Sequence, residues 1–174
     1  MSSYTTFRAP LNAKFDAMKN ILVIGAGRSA TVLIQYFLNN AEAQDWHLTV
    51  GDISAELCEK KIAGHPRGRA ISFDVFNAEQ RKTELSNADI VVSMLPASMH
   101  IELARECVDL GKHLTTASYI SKEMKSLDEA AKAKNVVLLN ETGLDPGIDH
   151  LSAMNLLDEI RENGGKVEHF ESFT

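Results

Sequence analysis

The sequence predicts an α/β protein built on a doubly wound parallel sheet. Short, wholly apolar runs alternate along the chain with segments in which apolar residues recur every three or four positions, the pattern of buried strands followed by amphipathic helices. A glycine-rich turn follows the first apolar run, where such a sheet needs a tight strand-to-helix connection. No internal repeat at a solenoid period is visible. Six apolar runs therefore predict six strands in the order 3-2-1-4-5-6, with ligands beyond their carboxyl ends.

The first strand and helix show the pattern most clearly. Residues 21–24 form a continuous apolar run, as expected of a strand buried on both faces. One face of the following helix carries Ala30, Leu33, Ile34, Phe37 and Leu38. The later strands are predicted over residues 47–50, 70–73, 90–94, 113–116 and 136–139. The later helices are predicted over residues 55–63, 78–85, 101–108, 124–131 and 151–160.

The two ends of the chain differ from this pattern. Residues 1–17 have no apolar period and are interpreted as a flexible leader, so the α/β domain is assigned to residues 18–163. Asn163-Gly164-Gly165 is a helix-stop signal, and residues 166–173 then alternate like a strand. We expect residues 164–174 to be the first strand of a truncated second domain.

Charge and apolar patterning exclude two classes of function. Lys and Arg number 18 against 24 Asp and Glu, a formal net charge of −6, whereas a general nucleic-acid binder needs a basic surface. No run approaches the roughly 20 apolar residues of a membrane span. Cys58 and Cys107 lack metal-ligand spacing, so we expect no metal site and a reduced, cytoplasmic protein.

The turn after the first strand has the G-x-G-x-x-A pattern of a Rossmann dinucleotide-binding domain. It reads Gly25-Ala26-Gly27-Arg28-Ser29-Ala30. Gly25 permits the tight turn, Gly27 lets the backbone approach a pyrophosphate, and Ala30 keeps the helix close to the strand. Free N–H groups at the helix start, around Arg28 and Ser29, bind the anion. The alternative is a glycine turn that binds nothing.

An acidic residue after the second strand predicts which dinucleotide is bound. Asp52, followed by Ile53, can accept hydrogen bonds from an adenosine ribose and would repel a 2′-phosphate. We therefore expect NAD in preference to NADP, although Asp52 also suits a helix N-terminus before Ser54. Four residues after the third and fourth strands are predicted to border the cofactor: Asp74, Val75, Leu95 and Pro96.

Polar loops after the fifth and sixth strands are the candidate substrate site. They contain Ser118-Tyr119 and residues 140–150, and they open on the same sheet edge as the glycine turn. The alternative for the second loop is an ordinary strand-to-helix turn capped by Asp149. His100 and His150 begin helices and are interpreted as surface or packing residues.

With these loops the chain resembles saccharopine dehydrogenase of the L-glutamate-forming type. The resemblance rests on residues 25–30, on Met94-Leu95-Pro96 with His100, on residues 117–121, and on residues 140–150. It implies hydride transfer between NAD(P)H and the imine of glutamate with 2-aminoadipate semialdehyde, a second domain, and a homodimer. Because the second domain of such an enzyme carries much of the substrate contact, we expect a fragment without that domain to lack turnover. NADP-using members place an Arg after the second strand, where this chain has Ile53.

The resemblance also implies roles for individual residues. Ser118 and Tyr119 would contact the amino-acid substrate, and Asp145 would lie near the reacting carbon, so Tyr119 and Asp145 are the catalytic candidates. Leu144 and Pro146 would border the nicotinamide.

Two other functions use the same glycine turn and Asp52. One is an imine-reducing dehydrogenase for a polyamine-type substrate, and the other is a non-catalytic NAD-sensing module. The sensing module has no evident need for Ser118-Tyr119 or for residues 144–150, so these loops favour an enzyme.

Overall fold

The computed structural model describes residues 18–172, so the predicted leader at residues 1–17 lies outside the described part. The strands are β1 (Lys19–Ile24), β2 (Trp46–Asp52), β3 (Gly68–Ser72), β4 (Ile90–Ser93), β5 (His113–Thr116) and β6 (Leu138–Leu139). The helices are α1 (Ala30–Asn40), α2 (Ala55–Ile62), α3 (Ala78–Ser86), α4 (His100–Leu110), α5 (Lys122–Lys125), α6 (Asp128–Ala133) and α7 (Ile148–Glu162).

The strands form one parallel sheet in the order β3-β2-β1-β4-β5-β6, which confirms the predicted doubly wound topology. β1 lies at the centre, with Ile24 paired to Gly51 of β2 and to Ser93 of β4. Ser93 in turn pairs with Thr116 at the end of β5. Because these last residues are in register, the loops that follow the strands leave from one edge of the sheet.

Both faces of the central strand are buried, as its uninterrupted apolar run predicts. Ile21 and Val23 pack with the inner faces of α1 and α2, including Ile34. Leu22 and Ile24 point to the opposite face and pack with α4, including Leu103. The side chains of successive strand residues alternate between faces, so one strand supplies both layers of the core.

Three segments differ from the sequence prediction. The helix expected over residues 124–131 is broken into α5 and α6, and Ser126, the C-cap of α5, donates its hydroxyl to the Glu123 carbonyl at the break. β6 is two residues long, against a prediction of 136–139. Described residues 166–172 form no strand. The alternating pattern there has no neighbouring strand to supply ladder hydrogen bonds.

α7 is an amphipathic helix whose apolar residues lack cover among the described residues. None of its residues is buried, and Leu151 is 72% exposed. It ends at Glu162, directly before the predicted Asn163-Gly164-Gly165 stop, where Gly164 has φ +77°. Over the described range, no helix combines the length and apolarity that crossing a membrane requires.

Candidate functional site

The glycine turn has the geometry that its sequence predicts. Gly25 is buried with φ +101°, and a Cβ there would lie 2.8 Å from the Met94 carbonyl oxygen, so only glycine fits beside β4. Gly27, Arg28 and Ser29 are exposed, and the space around Gly27 is open. Ala30 is buried where α1 meets the sheet.

The amino end of α1 is open for an anion. Ser29 stands at its N-cap without a side-chain cap hydrogen bond, and the first turn contains no acidic residue. By contrast, Ser54 caps α2 and Asn77 caps α3 through their side chains. The Ala30 and Thr31 N–H groups donate to the Gly27 and Arg28 carbonyls, which leaves the Arg28 and Ser29 N–H groups and the positive end of the helix dipole for a pyrophosphate. These residues fit the phosphate part of a dinucleotide.

Asp52 is fixed between the glycine turn and β2. Its Oδ2 accepts the Ala26 N–H at 2.7 Å, and its Oδ1 accepts the Ser54 N–H at 3.1 Å. Each carboxylate oxygen keeps a further lone pair for a hydroxyl donor. The carboxylate therefore orients the turn as well as facing the space where a ribose would lie.

A small cavity of about 100 Å³ adjoins Asp52. It is lined by residues at or after the ends of four strands, β1 to β4, among them Ile53, Asp74, Val75 and Leu95. Ile53 is 74% exposed, whereas Val75 is buried. Pro96 is exposed at the start of a short 3-10 turn, Ala97–Met99. The structure thus brings three of the four predicted cofactor-border residues, Asp74, Val75 and Leu95, together with Asp52 and Ile53, whereas Pro96 does not line the cavity.

The loops after β5 and β6 meet through a side-chain hydrogen bond. The Tyr119 hydroxyl donates to Asp145 Oδ1 at 2.6 Å. This bond to a carboxylate raises the pKa of the Tyr119 phenol, with smaller contributions from Asp149 and Glu141. Tyr119 is consequently a protonated donor at neutral pH, and Asp145 Oδ2 accepts no hydrogen bond from another described residue.

Backbone hydrogen bonds shape the loop that carries Asp145. The Glu141 N–H donates to the Ser118 carbonyl, which ties the two loops together. Gly143 N–H donates to the Pro146 carbonyl, and Pro146 is buried while Leu144 is 75% exposed. Gly147 has φ +148°, and a Cβ there would lie 2.2 Å from the Gly143 carbonyl oxygen. The tight turn therefore requires glycine.

His150 and Asp149 form an exposed pair beside Asp145. His150 Nδ1 lies 2.8 Å from Asp149 Oδ1, and this contact raises the pKa of His150. Asp149 Oδ1 also accepts the Gly147 N–H, but the N-cap of α7 is Gly147 itself and no side chain caps the helix. One ligand atom each of Asp145, Asp149 and His150 lies within 4.8 Å of the others. Exposed acidic groups commonly lie this close without a metal, so the prediction of no metal site stays a prediction.

His100 is a packing residue, one of the two alternatives that the sequence left open for it. It is not on the surface: it is 4% exposed and makes hydrogen bonds to the hydroxyls of Ser93, Thr116 and Ser118. Burial lowers the pKa of its imidazole. Its neighbours lie at the ends of β4 and β5 and in the loop after β5, so spacing along the chain gave no signal of the contact.

Fold and glycine turn together put the chain in the class of dinucleotide-binding Rossmann domains. Residues 21–139 match the family described as "Saccharopine dehydrogenase NADP binding domain". The chain belongs to this family, which confirms the resemblance inferred from its motifs.

Curated relatives and solved structures agree with the family. Saccharopine dehydrogenase (NADP(+), L-glutamate-forming) of Schizosaccharomyces pombe is 33% identical over 156 residues, covering 90% of this chain and 34% of that protein. Alpha-aminoadipic semialdehyde synthase of Arabidopsis thaliana is 35% identical over 170 residues, covering 88% and 16%. The apo, histidine-tagged saccharopine dehydrogenase (L-Glu forming) from Saccharomyces cerevisiae superposes with a TM-score of 0.77 at 31% identity, over 86% of this chain and 33% of that one.

The chain spans about a third of the length of the matched dehydrogenases and a sixth of the synthases. The names of the family and of the fission-yeast relative specify NADP. The comparisons therefore support the binding of a dinucleotide by this domain. They do not support the predicted preference for NAD over NADP.

Proposed function

We propose that this domain binds a nicotinamide dinucleotide in an oxidoreductase that interconverts an imine and a secondary amine of an amino-acid substrate. The reaction is the one for which the matched dehydrogenases are named, between saccharopine and L-glutamate. The observation that carries the proposal is the Tyr119–Asp145 hydrogen bond at the sheet edge that also carries the glycine turn. A module that only senses a nucleotide has no use for this pair.

The chemistry needs one proton to move at the substrate nitrogen. Bound nicotinamide supplies or accepts the hydride at carbon. Asp145 is placed to hold the proton that the nitrogen gains on reduction and loses on oxidation, since its Oδ2 is uncommitted among the described contacts. Tyr119 fixes the carboxylate by donating to Oδ1.

Negative charge around this pair suits a cationic nitrogen. The carboxylates of Glu141, Asp145 and Asp149 each act on the pKa of Tyr119. A protonated amine or iminium is stabilised by such neighbours. Ser118 lies beside Tyr119 and is assigned to substrate binding, while Leu144 is assigned to the nicotinamide side of the cleft.

We infer that the preferred dinucleotide is NAD. Asp52 is held at the end of β2 by two backbone N–H groups, so it cannot swing away from a 2′-phosphate without breaking both bonds. The next residue, Ile53, is exposed and supplies no charge to receive that phosphate. The relatives' use of NADP is the competing expectation.

Location and assembly are part of the proposal. Cys58 and Cys107 are both buried free thiols, which suits the reducing cytoplasm. The family resemblance predicts a homodimer, which light scattering on the natural full-length protein would test.

Steady-state assay of the natural full-length protein tests the function. We expect oxidation of saccharopine with NAD+ to exceed oxidation of a polyamine-type amine. Dinucleotide binding without turnover of either amine would overturn the enzyme assignment and favour the sensing module. Turnover of the polyamine-type amine alone would favour that substrate class.

A further inference from the structure

His100 is a buried ionisable residue that the proposed chemistry does not use. It is the first residue of α4 and lies under the ends of β4 and β5. Its Nδ1 is 2.7 Å from Ser93 Oγ. Its Nε2 is 2.8 Å from Ser118 Oγ and 2.9 Å from Thr116 Oγ1. One ring thus joins the interior of the sheet to the loop of the candidate substrate site.

The three contacts favour one tautomer of the neutral ring. As an acceptor, Nε2 has a single lone pair and takes a proton from only one hydroxyl. The lone pair would then face the oxygen of the other hydroxyl at less than 3 Å. As a donor, the Nε2–H is shared by both oxygens, while the Ser93 hydroxyl donates to Nδ1. We assign the Nε2–H tautomer on this network.

The other polar atoms of Ser118 are already engaged. Its carbonyl accepts the Glu141 N–H at 3.0 Å, and its own N–H is 3.4 Å from Thr116 Oγ1. With His100 donating to its Oγ, Ser118 keeps one uncommitted donor, the hydroxyl proton. Ser118 is half-buried in the loop that follows β5, so its hydroxyl proton is available to a bound molecule.

We propose that His100 is a positioning residue that holds the Ser118 hydroxyl as a hydrogen-bond donor to a carboxylate oxygen of the substrate. The inference rests on the proposed function, because it takes Ser118 as a substrate contact. The lowered pKa of the buried ring supports it, since a neutral imidazole keeps one tautomer at neutral pH.

Nitrogen-15 NMR of the histidine side chains in the 174-residue chain tests the tautomer without any substitution. We expect His100 to carry its proton on Nε2 at pH 7. A proton on Nδ1, or on both nitrogens, would overturn the assignment.

Substitutions in the natural full-length protein test the role. His100→Gln places an amide N–H near the position of Nε2. His100→Asn places its amide near the position of Nδ1, so it keeps a contact with Ser93 and loses the one with Ser118. We expect His100→Asn to raise the KM for the amino-acid substrate about tenfold, the cost of a lost hydrogen bond to a charged group. The Kd for NADH should change less than about twofold, since His100 contacts no residue of the glycine turn. His100→Gln should stay within about threefold of the natural KM.

A double-mutant cycle separates positioning from packing. If His100 acts through Ser118, His100→Asn and Ser118→Ala together should raise KM no more than the larger single change. His113→Gln, at the opposite end of β5, is the matched control and should leave KM unchanged. Multiplicative effects, or equal losses in the Gln and Asn variants, would overturn the proposal. Absence of turnover in the natural protein would instead remove the proposed function, and the substrate role of Ser118 with it, while the tautomer result would stand.

Discussion

The two halves of the sheet hold their functional loops in different ways. Around β1 and β2, each contact involves backbone groups. Gly25 packs against the Met94 carbonyl, and the Asp52 carboxylate accepts hydrogen bonds from two backbone N–H groups. Around β5 and β6, side chains bridge the loops, through Tyr119 to Asp145 and through His100 to Ser118. Both halves use backbone hydrogen bonds, since the Glu141 N–H also donates to the Ser118 carbonyl, and the second half adds contacts between side chains.

The helices of the two halves also differ in how far their apolar side chains are buried. α1 packs against β1 with Ile34 fully buried. α7, which follows β6, buries none of its residues, and Leu144 and Leu151 are each more than 70% exposed. Within the described range α1 therefore contributes buried apolar side chains to the core, whereas α7 contributes none.

The largest expected effect is the difference in free energy of unfolding between the same kind of truncation made in α1 and in α7. Ile34→Ala leaves a cavity in the core and should lower the free energy of unfolding by about 2–5 kcal/mol. Leu151→Ala removes an exposed side chain and should change it by less than about 0.5 kcal/mol. Urea denaturation of the 174-residue chain measures both. Equal losses would mean that α7 packs in solution.

A glycine pair inside the nucleotide half separates stability from binding. Gly25→Ala forces a Cβ into a positive-φ position 2.8 Å from a carbonyl oxygen, at a cost of about 1–3 kcal/mol of stability. Gly27→Ala meets open space, so it should unfold like the natural chain yet bind NADH more weakly, because its methyl group stands where the pyrophosphate approaches. Denaturation and calorimetry distinguish the two. Loss of stability without loss of binding in Gly27→Ala would contradict the site.

Asp145→Asn tests the substrate half through its chemistry. In the natural full-length protein it should cut turnover by about tenfold or more, with the Kd for NADH and the melting temperature nearly unchanged. Asp128→Asn, an exposed acid on α6, is the control and should leave turnover intact. A variant that melts early but turns over normally would remove Asp145 from the site.

The smallest effects are the pH dependences of two histidines, and they have opposite signs. The pKa of His100 is lowered in the folded chain, so its contribution to stability is present above the unfolded value of about 6.5 and is lost as pH falls towards the folded pKa. The pKa of His150 is raised by Asp149, so its contribution is present below about 6.5 and is lost as pH rises through the folded pKa. Denaturation of His100→Gln and His150→Gln against the natural chain at pH 5 and pH 8 checks both signs, and like signs would contradict the assignments.

The fold could be predicted almost completely from local pattern. Runs such as residues 21–24 and the glycine turn specify strands, crossovers and order, because each signal lies within a few residues of the element that it describes. Within the candidate site, residues 25–30 and Asp52 were predictable for the same reason.

The remaining site contacts depend on tertiary placement. The ring of His100 meets hydroxyls 7 to 18 residues away, and Tyr119 meets Asp145 across 26 residues. The break after Ser126, where the hydroxyl bonds to the Glu123 carbonyl, has no signal in the apolar pattern of residues 124–131. The alternation in residues 166–173 predicts a strand, but residues 166–172 form none. A strand needs a partner to supply ladder hydrogen bonds, and none lies beside this segment among residues 18–172.

Calorimetric titration of the 174-residue chain with NADH and NADPH tests the central claim most directly, because it probes the half of the site that the backbone holds. With Asp52 fixed by Ala26 and Ser54, NADH should bind about tenfold or more tightly than NADPH, a difference of ~1.4 kcal/mol. Asp52→Ser should narrow that ratio by relieving the repulsion of the 2′-phosphate. Tighter binding of NADPH by the natural chain would contradict the account.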